Sequence, residues 1–324
     1  MLTTAIEAAK RIKAGERLLL AAEEKQLLAL PRGTWIGGTI PYFMGEQGGQ
    51  VSREAVFVTP LPPEIGEIEI ALYDSAALPR VAAEAPENGI TFLILPSSSK
   101  VHLEYAQNAP DYKDMYMKPI VGWVAGTHLD DLGSATPKVV DGREVRAYAD
   151  KAIALHGTLP PGMIAKLGII NLFKQGKGEA LTFPNGGFKI SRCFVNGSER
   201  SFSKYLSDAK IDTKLPLVAD YSGALVNVSF QSVDPAKDEV SLYAPVFTGV
   251  KYRIAEPVDD YVASFSRALP RDIHPIFACN CILNFLYSEL EGKITEGMTG
   301  PVTFGEIAYQ LLNQTLVYVT IEKS

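Results

Sequence analysis

TGPVTFGEIAYQLLNQT, residues 299–315, runs directly into the strand-like LVYVTI (316–321). Its reading decides what kind of protein ends here. Val302, Phe304, Ile307 and Ala308 want burial, yet Glu306, Asn313, Gln314 and Thr315 stand among them. Two closing strands, PVTFGEIAY and TLVYVTIE, account for the pattern. Strand alternation then puts Phe304, Glu306 and Ala308 on one face, so the carboxyl shares a side with apolar neighbours. A carboxylate in such company needs donors, which the amides of Asn313 or Gln314 could supply. Two readings stay open: a structural, hydrogen-bonded glutamate, or a ligand-binding one.

Working outward, the chain has 324 residues, 47% hydrophobic and 21% charged, with a net charge of −6. That length suggests two domains or one large α/β unit. The negative charge and the lack of a basic tract argue against nucleic acid as a partner. No apolar run approaches the roughly 18 residues that span a bilayer, so no membrane partner is expected. The start, MLTTAIEAAKRIKAGE, carries charges where an export signal needs an apolar core. Three cysteines fit a reducing, cytoplasmic location.

Residues 2–30 read as helical, closed by Pro31. EIEIALY (67–73) alternates as a half-buried strand does. ITFLILP (90–96) is a continuous apolar run that suits a strand covered on both faces. WIGGTI (35–40) and IVGWVAGT (120–127) echo each other, each with glycine inside a strand and threonine after it. Beyond Pro160-Pro161 the texture changes to short strands joined by Asn-Gly turns. EPVDDYVASFSRALP (256–270) predicts a helix with Pro257 in its first turn. FACNCILNF (277–285) reads as strand, turn, helix. The fold class is mixed α+β (α/β): a helical segment over 1–33 and two lobes, 34–160 and 161–324, with mixed, largely antiparallel sheets flanked by helices.

Cys281, at the start of a helix, is placed where a thiol pKa falls. Packing is the blander reading for it and for Cys279. The CNC spacing does not suit zinc, and His128 with Asp130 and Asp131 reads as a surface turn. No metal and no cofactor is expected. Phosphate-loop patterns and a G-x-S-x-G nucleophile motif are absent. Glycines at 37, 38, 122 and 126 would let another backbone, or a ligand, come close.

FACNC, then GPVTFGEIA, then LNQTLV resemble the C-terminal part of the FIST domain family, a group of bacterial sensory domains. TWIGGTI, PIVGWVAGTH, PKVVDGREV and FVNGSERSFSKYL resemble further segments of it in the right order, over about residues 34–321. The resemblance implies a two-lobed ligand-binding protein in signal transduction, with a small metabolite such as an amino acid as ligand. From the first lobe it implies Gly37, Gly38, Thr39, Gly122, Gly126 and Thr127 at the site. From the second it implies Cys279, Asn280, Gly305, Glu306, Asn313 and Thr315. An arginine expected soon after the strand cysteine is replaced here by NCILN, so the ligand would differ or be lost. Two alternatives are a hydrolase or acyl transferase using Cys279 or Cys281, and a scaffold protein without ligand. A homodimer is compatible with the sequence without being specified by it.

Overall fold

A computed structural model describes residues 1–324 apart from Arg271. Strand takes 42% and helix 17% of the chain, so sheets carry the architecture and the fold is mixed α+β. Three six-stranded sheets form the body. An N-terminal sheet runs Leu2–Thr4, Ala55–Pro60, Leu18–Ala22, Trp35–Thr39, Val139–Asp141, Arg146–Tyr148. A central sheet runs Gln310–Leu312, Glu306–Ala308, Ile120–Ala125, Gly89–Pro96, Ala152–Thr158, Ile68–Tyr73. A C-terminal sheet runs Met163–Ile170, Leu316–Lys323, Phe277–Cys281, Gly300–Thr303, Tyr42–Gly45, Gly48–Val51. A further six-stranded sheet and a three-stranded one, built from residues 181–254, pack on the far side of the central sheet.

Each body sheet contains one parallel pair, and the rest of its pairs are antiparallel. Gly89–Pro96 and Ile120–Ala125 are bridged by helix Lys100–Asn108. Phe277–Cys281 and Gly300–Thr303 are bridged by helix Ile282–Tyr287. Parallel neighbours need such a crossover.

The central sheet is buried on both faces, which explains the unbroken apolar run of Gly89–Pro96. Phe92, Ile94, Val121, Trp123, Ile153 and Leu155 face the N- and C-terminal sheets. Their alternates, Leu93, Leu95, Val124, Ala152 and Ala154, face helix Lys100–Asn108 and the outer sheets. At the centre of the first core, Trp123 stacks on Phe277 with centroids 5.5 Å apart, and Phe92 meets Phe277 edge-on at 5.7 Å. Offset and edge-on contacts of this kind add to simple area burial.

Several expectations need correction. Residues 2–30 are not one helix: Leu18–Ala22 is a fully buried interior strand between Ala55–Pro60 and Trp35–Thr39. A five-residue apolar run has no periodicity to separate strand from helix, and pairing on both edges decides the matter. The helix at 256–270 begins later, at Tyr261, with Asp260 and not Pro257 at its start; the Asp260 side chain accepts a hydrogen bond from the Ala263 amide. PVTFGEIAY is not one strand. Gly300–Thr303 lies in the C-terminal sheet and Glu306–Ala308 in the central one. Pro160-Pro161 falls in the short link before Met163–Ile170, but the sheets do not divide there. Gly300–Thr303 pairs with Tyr42–Gly45, and Glu306–Ala308 pairs with Ile120–Ala125.

Asn196 and Gly197 form the two-residue hairpin turn that their sequence predicts, with φ of 48° and 87°. Among the described residues no helix is long and apolar enough to cross a membrane.

Gly122 tests the close pairing at the centre. A Cβ there would stand 1.8 Å from the Leu93 carbonyl oxygen, and backbone cannot step aside. Gly122→Ala should lower unfolding free energy by about 3 kcal/mol in chemical denaturation. Gly178→Ala, with nothing within 4 Å, should stay within about 1 kcal/mol of the parent.

Candidate functional site

The stretch from Gly300 onward crosses between two sheets twice. It leaves the C-terminal sheet after Thr303, steps through Phe304 and Gly305, and enters the central sheet at Glu306. A tight hairpin at Tyr309 (φ 63°) turns it back along Gln310–Leu312. Asn313–Thr315 then returns it to the C-terminal sheet, where Leu316–Lys323 pairs with Phe277–Cys281. Phe277–Cys281 thus lies between the strands that precede and follow the excursion.

Glu306 sits where these crossings meet, with no exposed surface. Its Oε2 accepts from the Thr315 hydroxyl at 2.8 Å and the Thr315 backbone N–H at 3.2 Å. The expected amides do not supply the donors. Asn313 donates to its neighbour's carbonyl, Leu312 O, at 3.0 Å. Gln314 turns away to Ser229 and the Lys214 carbonyl. With φ of 50° at Gln314, the backbone presents Thr315, and not the residue before it, to the carboxyl.

Among the described residues no cation pairs with Glu306, and its Oε1 has no hydrogen-bond partner. Burial therefore dominates and pushes its pKa up to about 8, against the smaller lowering effect of the Thr315 and Cys281 contacts. Around it the amides form a partly satisfied network. Asn280 Oδ1 accepts from the Cys281 N–H at 2.8 Å and from Asn284 Nδ2 at 3.0 Å. Asn284 Nδ2 also reaches the Thr315 carbonyl at 3.3 Å. Asn280 Nδ2, Asn284 Oδ1 and Asn313 Oδ1 have no partner. Native proteins leave few such atoms bare.

Cys279 and Cys281 flank this network. Burial, with the Glu306 charge adding to it, pushes both thiols well above their usual range. Cys279 Sγ donates to the Gly122 carbonyl at 3.4 Å. The helix after Cys281 is only Ile282–Tyr287, and its positive end does not outweigh the burial. A resting thiolate nucleophile does not arise at either position.

The first-lobe glycines serve packing. The space beside Gly38 is filled by Trp123 Nε1 and Ile94, that beside Gly126 by the Phe304 ring, and that beside Gly122 by the Leu93 backbone. Gly37 is covered by Leu20, Leu27 and Trp35, and Gly305 by Leu311 and Val124. Thr39 is satisfied, donating to Gly126 O at 2.8 Å and accepting from Lys138 N at 2.9 Å. The Thr127 hydroxyl is buried without a partner. His128, Asp130 and Asp131 form a short 3₁₀ turn with Asp131 paired to Arg53.

Two surface hollows flank the region. One of about 230 Å³ runs along Phe57–Pro60 and Pro275–Ala278. Another of about 670 Å³ lies between residues 258–262 and 287–294. Neither has Glu306 in its lining, so the expected hollow beside the carboxyl is not one of these two. Tyr261 lines the larger hollow. Burial pushes its phenol pKa up, with the Asn280 amide lowering it by less. Sequence reasoning missed Asn284 and Tyr261 as members of this region. Asn280 lies in the strand Phe277–Cys281 and Asn284 in the helix after it, so no single-element spacing marked the pair.

The chain matches a family model over residues 3–322. It belongs to DUF6976, a family of unknown function. A comparison with curated proteins finds no match.

Glu306 makes stability depend on pH with a definite sign. Its folded pKa is about 8 against an ordinary 4.5. Between these values the unfolded chain has lost a proton that the folded chain keeps, so stability falls as pH rises. The contribution is about −1.4 kcal/mol per pH unit. Glu306→Gln should remove that slope between pH 4.5 and 8 in denaturation curves.

Proposed function

We propose that the protein is a small-molecule-binding sensory protein of the kind represented by FIST domains, with a small amino metabolite as ligand. The observation that carries this reading is the buried Glu306 carboxyl without a cation, joined to amides with unused donors and acceptors. Binding sites combine apolar walls with a few such placed polar groups, and a carboxyl shifted this far is a functional-site signature. A ligand ammonium would supply the missing charge, and the Asn280 and Asn284 amides would take its remaining polar groups. The absence of an arginine in NCILN fits a ligand gripped through its amino end. Cys193, Cys279 and Cys281 are unpaired and buried, which supports a reducing compartment such as the cytoplasm. The high thiol pKa values give a cysteine-based enzyme no support.

Thermal unfolding against a panel of amino acids and small amines tests the proposal. A true ligand at 100 times its Kd should add about 2.7 kcal/mol, and Glu306→Gln should lose the effect. Silence across the whole panel would sink it. The charge argument also fixes a pH dependence. Below the Glu306 pKa of about 8, binding an ammonium expels the carboxyl proton. Affinity should therefore rise with pH up to about 8 and then level. Calorimetry in buffers of different ionisation enthalpy reads the released proton directly.

A further inference from the structure

The strand Met163–Ile170 forms one edge of the C-terminal sheet. It pairs with Leu316–Lys323 over eight residues without a bulge. Among the described residues no strand pairs with its other side. An unpaired row of N–H and C=O groups is a template for a further strand, and proteins blunt such edges by shortening, bulging, charging or covering them. The other sheet edges show those devices. None exceeds six residues. Gly48–Val51, at the opposite edge of the same sheet, is covered: Gly49 N donates to Lys293 O at 3.0 Å, and Gly292 N to Gly49 O at 2.8 Å. Both edge strands of the three-stranded sheet pair through a register irregularity. Ile68–Tyr73 carries Glu69. In Met163–Ile170 the one charged residue is Lys166, and Glu322 Oε2 already matches its Nζ at 2.5 Å. Ile169 is 47% exposed.

We propose that Met163–Ile170 is a homodimer interface, pairing antiparallel with the same strand of a second copy about a two-fold axis centred on Leu167. The inference stands apart from the ligand-binding reading. A two-fold pair sets one surface against itself, and residues opposite each other in a continuous sheet share a face. The axis must therefore pass through a residue, and Lys166 or Leu167 gives the longest overlap. A centre at Lys166 sets that lysine against the partner's Lys166, and like charges directly opposite destabilise a sheet. A centre at Leu167 sets Ile164 against the partner's Ile170 and covers exposed Ile169 with the partner's Ala165. It also sets Gly168 against the partner's Lys166. Tyr318 is paired with Gly168 and lies over it, its hydroxyl 2.3 Å from where a Cβ would stand. That hydroxyl is placed to accept a hydrogen bond from the partner's Lys166. The strand is thus complementary to itself in shape and in charge.

Sedimentation velocity of the full chain over a dilution series should show a monomer–dimer equilibrium. Ile169→Lys, a charge of the kind that blunts edges, should weaken association about tenfold and leave the urea unfolding midpoint unchanged. Cross-linking reads the register independently. Directly opposite residues have Cα atoms about 4.5–5.5 Å apart, within the roughly 4.4–6.8 Å that a disulfide spans. Under a mild oxidant Leu167→Cys should give a covalent dimer on a non-reducing gel. Lys166→Cys, offset along the strand from its own copy, should not. The native cysteines are buried and should not compete. A monomer at every concentration overturns the interface. So does a dimer that Ile169→Lys leaves intact, or covalent dimers from Lys166→Cys and none from Leu167→Cys.

Discussion

One buried carboxyl holds together the two places where the chain changes sheets. Glu306 begins the excursion into the central sheet, and Thr315 ends it. The two hydrogen bonds from Thr315 to Glu306 Oε2 tie those points together. The backbone on either side is locked by ladder contacts: Gly305 O accepts from Val124 N at 2.8 Å, and Thr315 O from Cys281 N at 3.2 Å. Central and C-terminal sheets are thereby fixed against each other around Trp123 and Phe277. Register is what the carboxyl secures, since a one-residue slip of so short a strand would turn its apolar side chains outward.

The clamp is made at an energetic disadvantage. Two hydrogen bonds do not offset the cost of taking a carboxylate out of water. The group responds by holding its proton, which is why its pKa lies near 8 and not near 4.5. An arginine or lysine in the same place would have reversed that balance. Instead the surroundings offer Asn280, Asn284 and two thiols, all neutral. A protein that needed only a strut could have used an apolar side chain here. A chargeable group with an unused oxygen stands here beside amides with unused atoms, and buried His102, its Nε2 unpartnered, stands elsewhere in the core. His156 makes the contrast clear. It is also buried, but Thr91 and Tyr73 satisfy both its ring nitrogens, at 2.8 and 2.9 Å.

Some of this was legible in the residues. ITFLILP announced a strand buried on both faces, and Asn196-Gly197 announced its hairpin. GEIA among apolar neighbours announced a sheltered carboxyl. LLLAA at 18–22 did not announce itself, because five apolar residues carry no period. The break inside PVTFGEIAY was hidden for another reason: alternation continues across Phe304-Gly305, although the partner strands on the two sides belong to different sheets. Glycines 38, 122 and 126 were visible as places of close approach, but the approaching groups, Trp123, Leu93 and Phe304, come from elsewhere in the chain or from the opposite strand.

By itself the sequence determined a strand-rich α+β chain, its best-covered strand, several of its turns and one of its buried acids, because each depends on local pattern or on composition. Only the tertiary structure decided which sheets the closing strands join, and that Thr315 and not an asparagine or glutamine holds the carboxyl. Those depend on contacts between residues far apart in the chain, such as Trp123 with Phe277 and Gln314 with Ser229. A hydrogen-bond donor is chosen by where folding brings it, and neighbouring sequence positions compete for that place without revealing the winner.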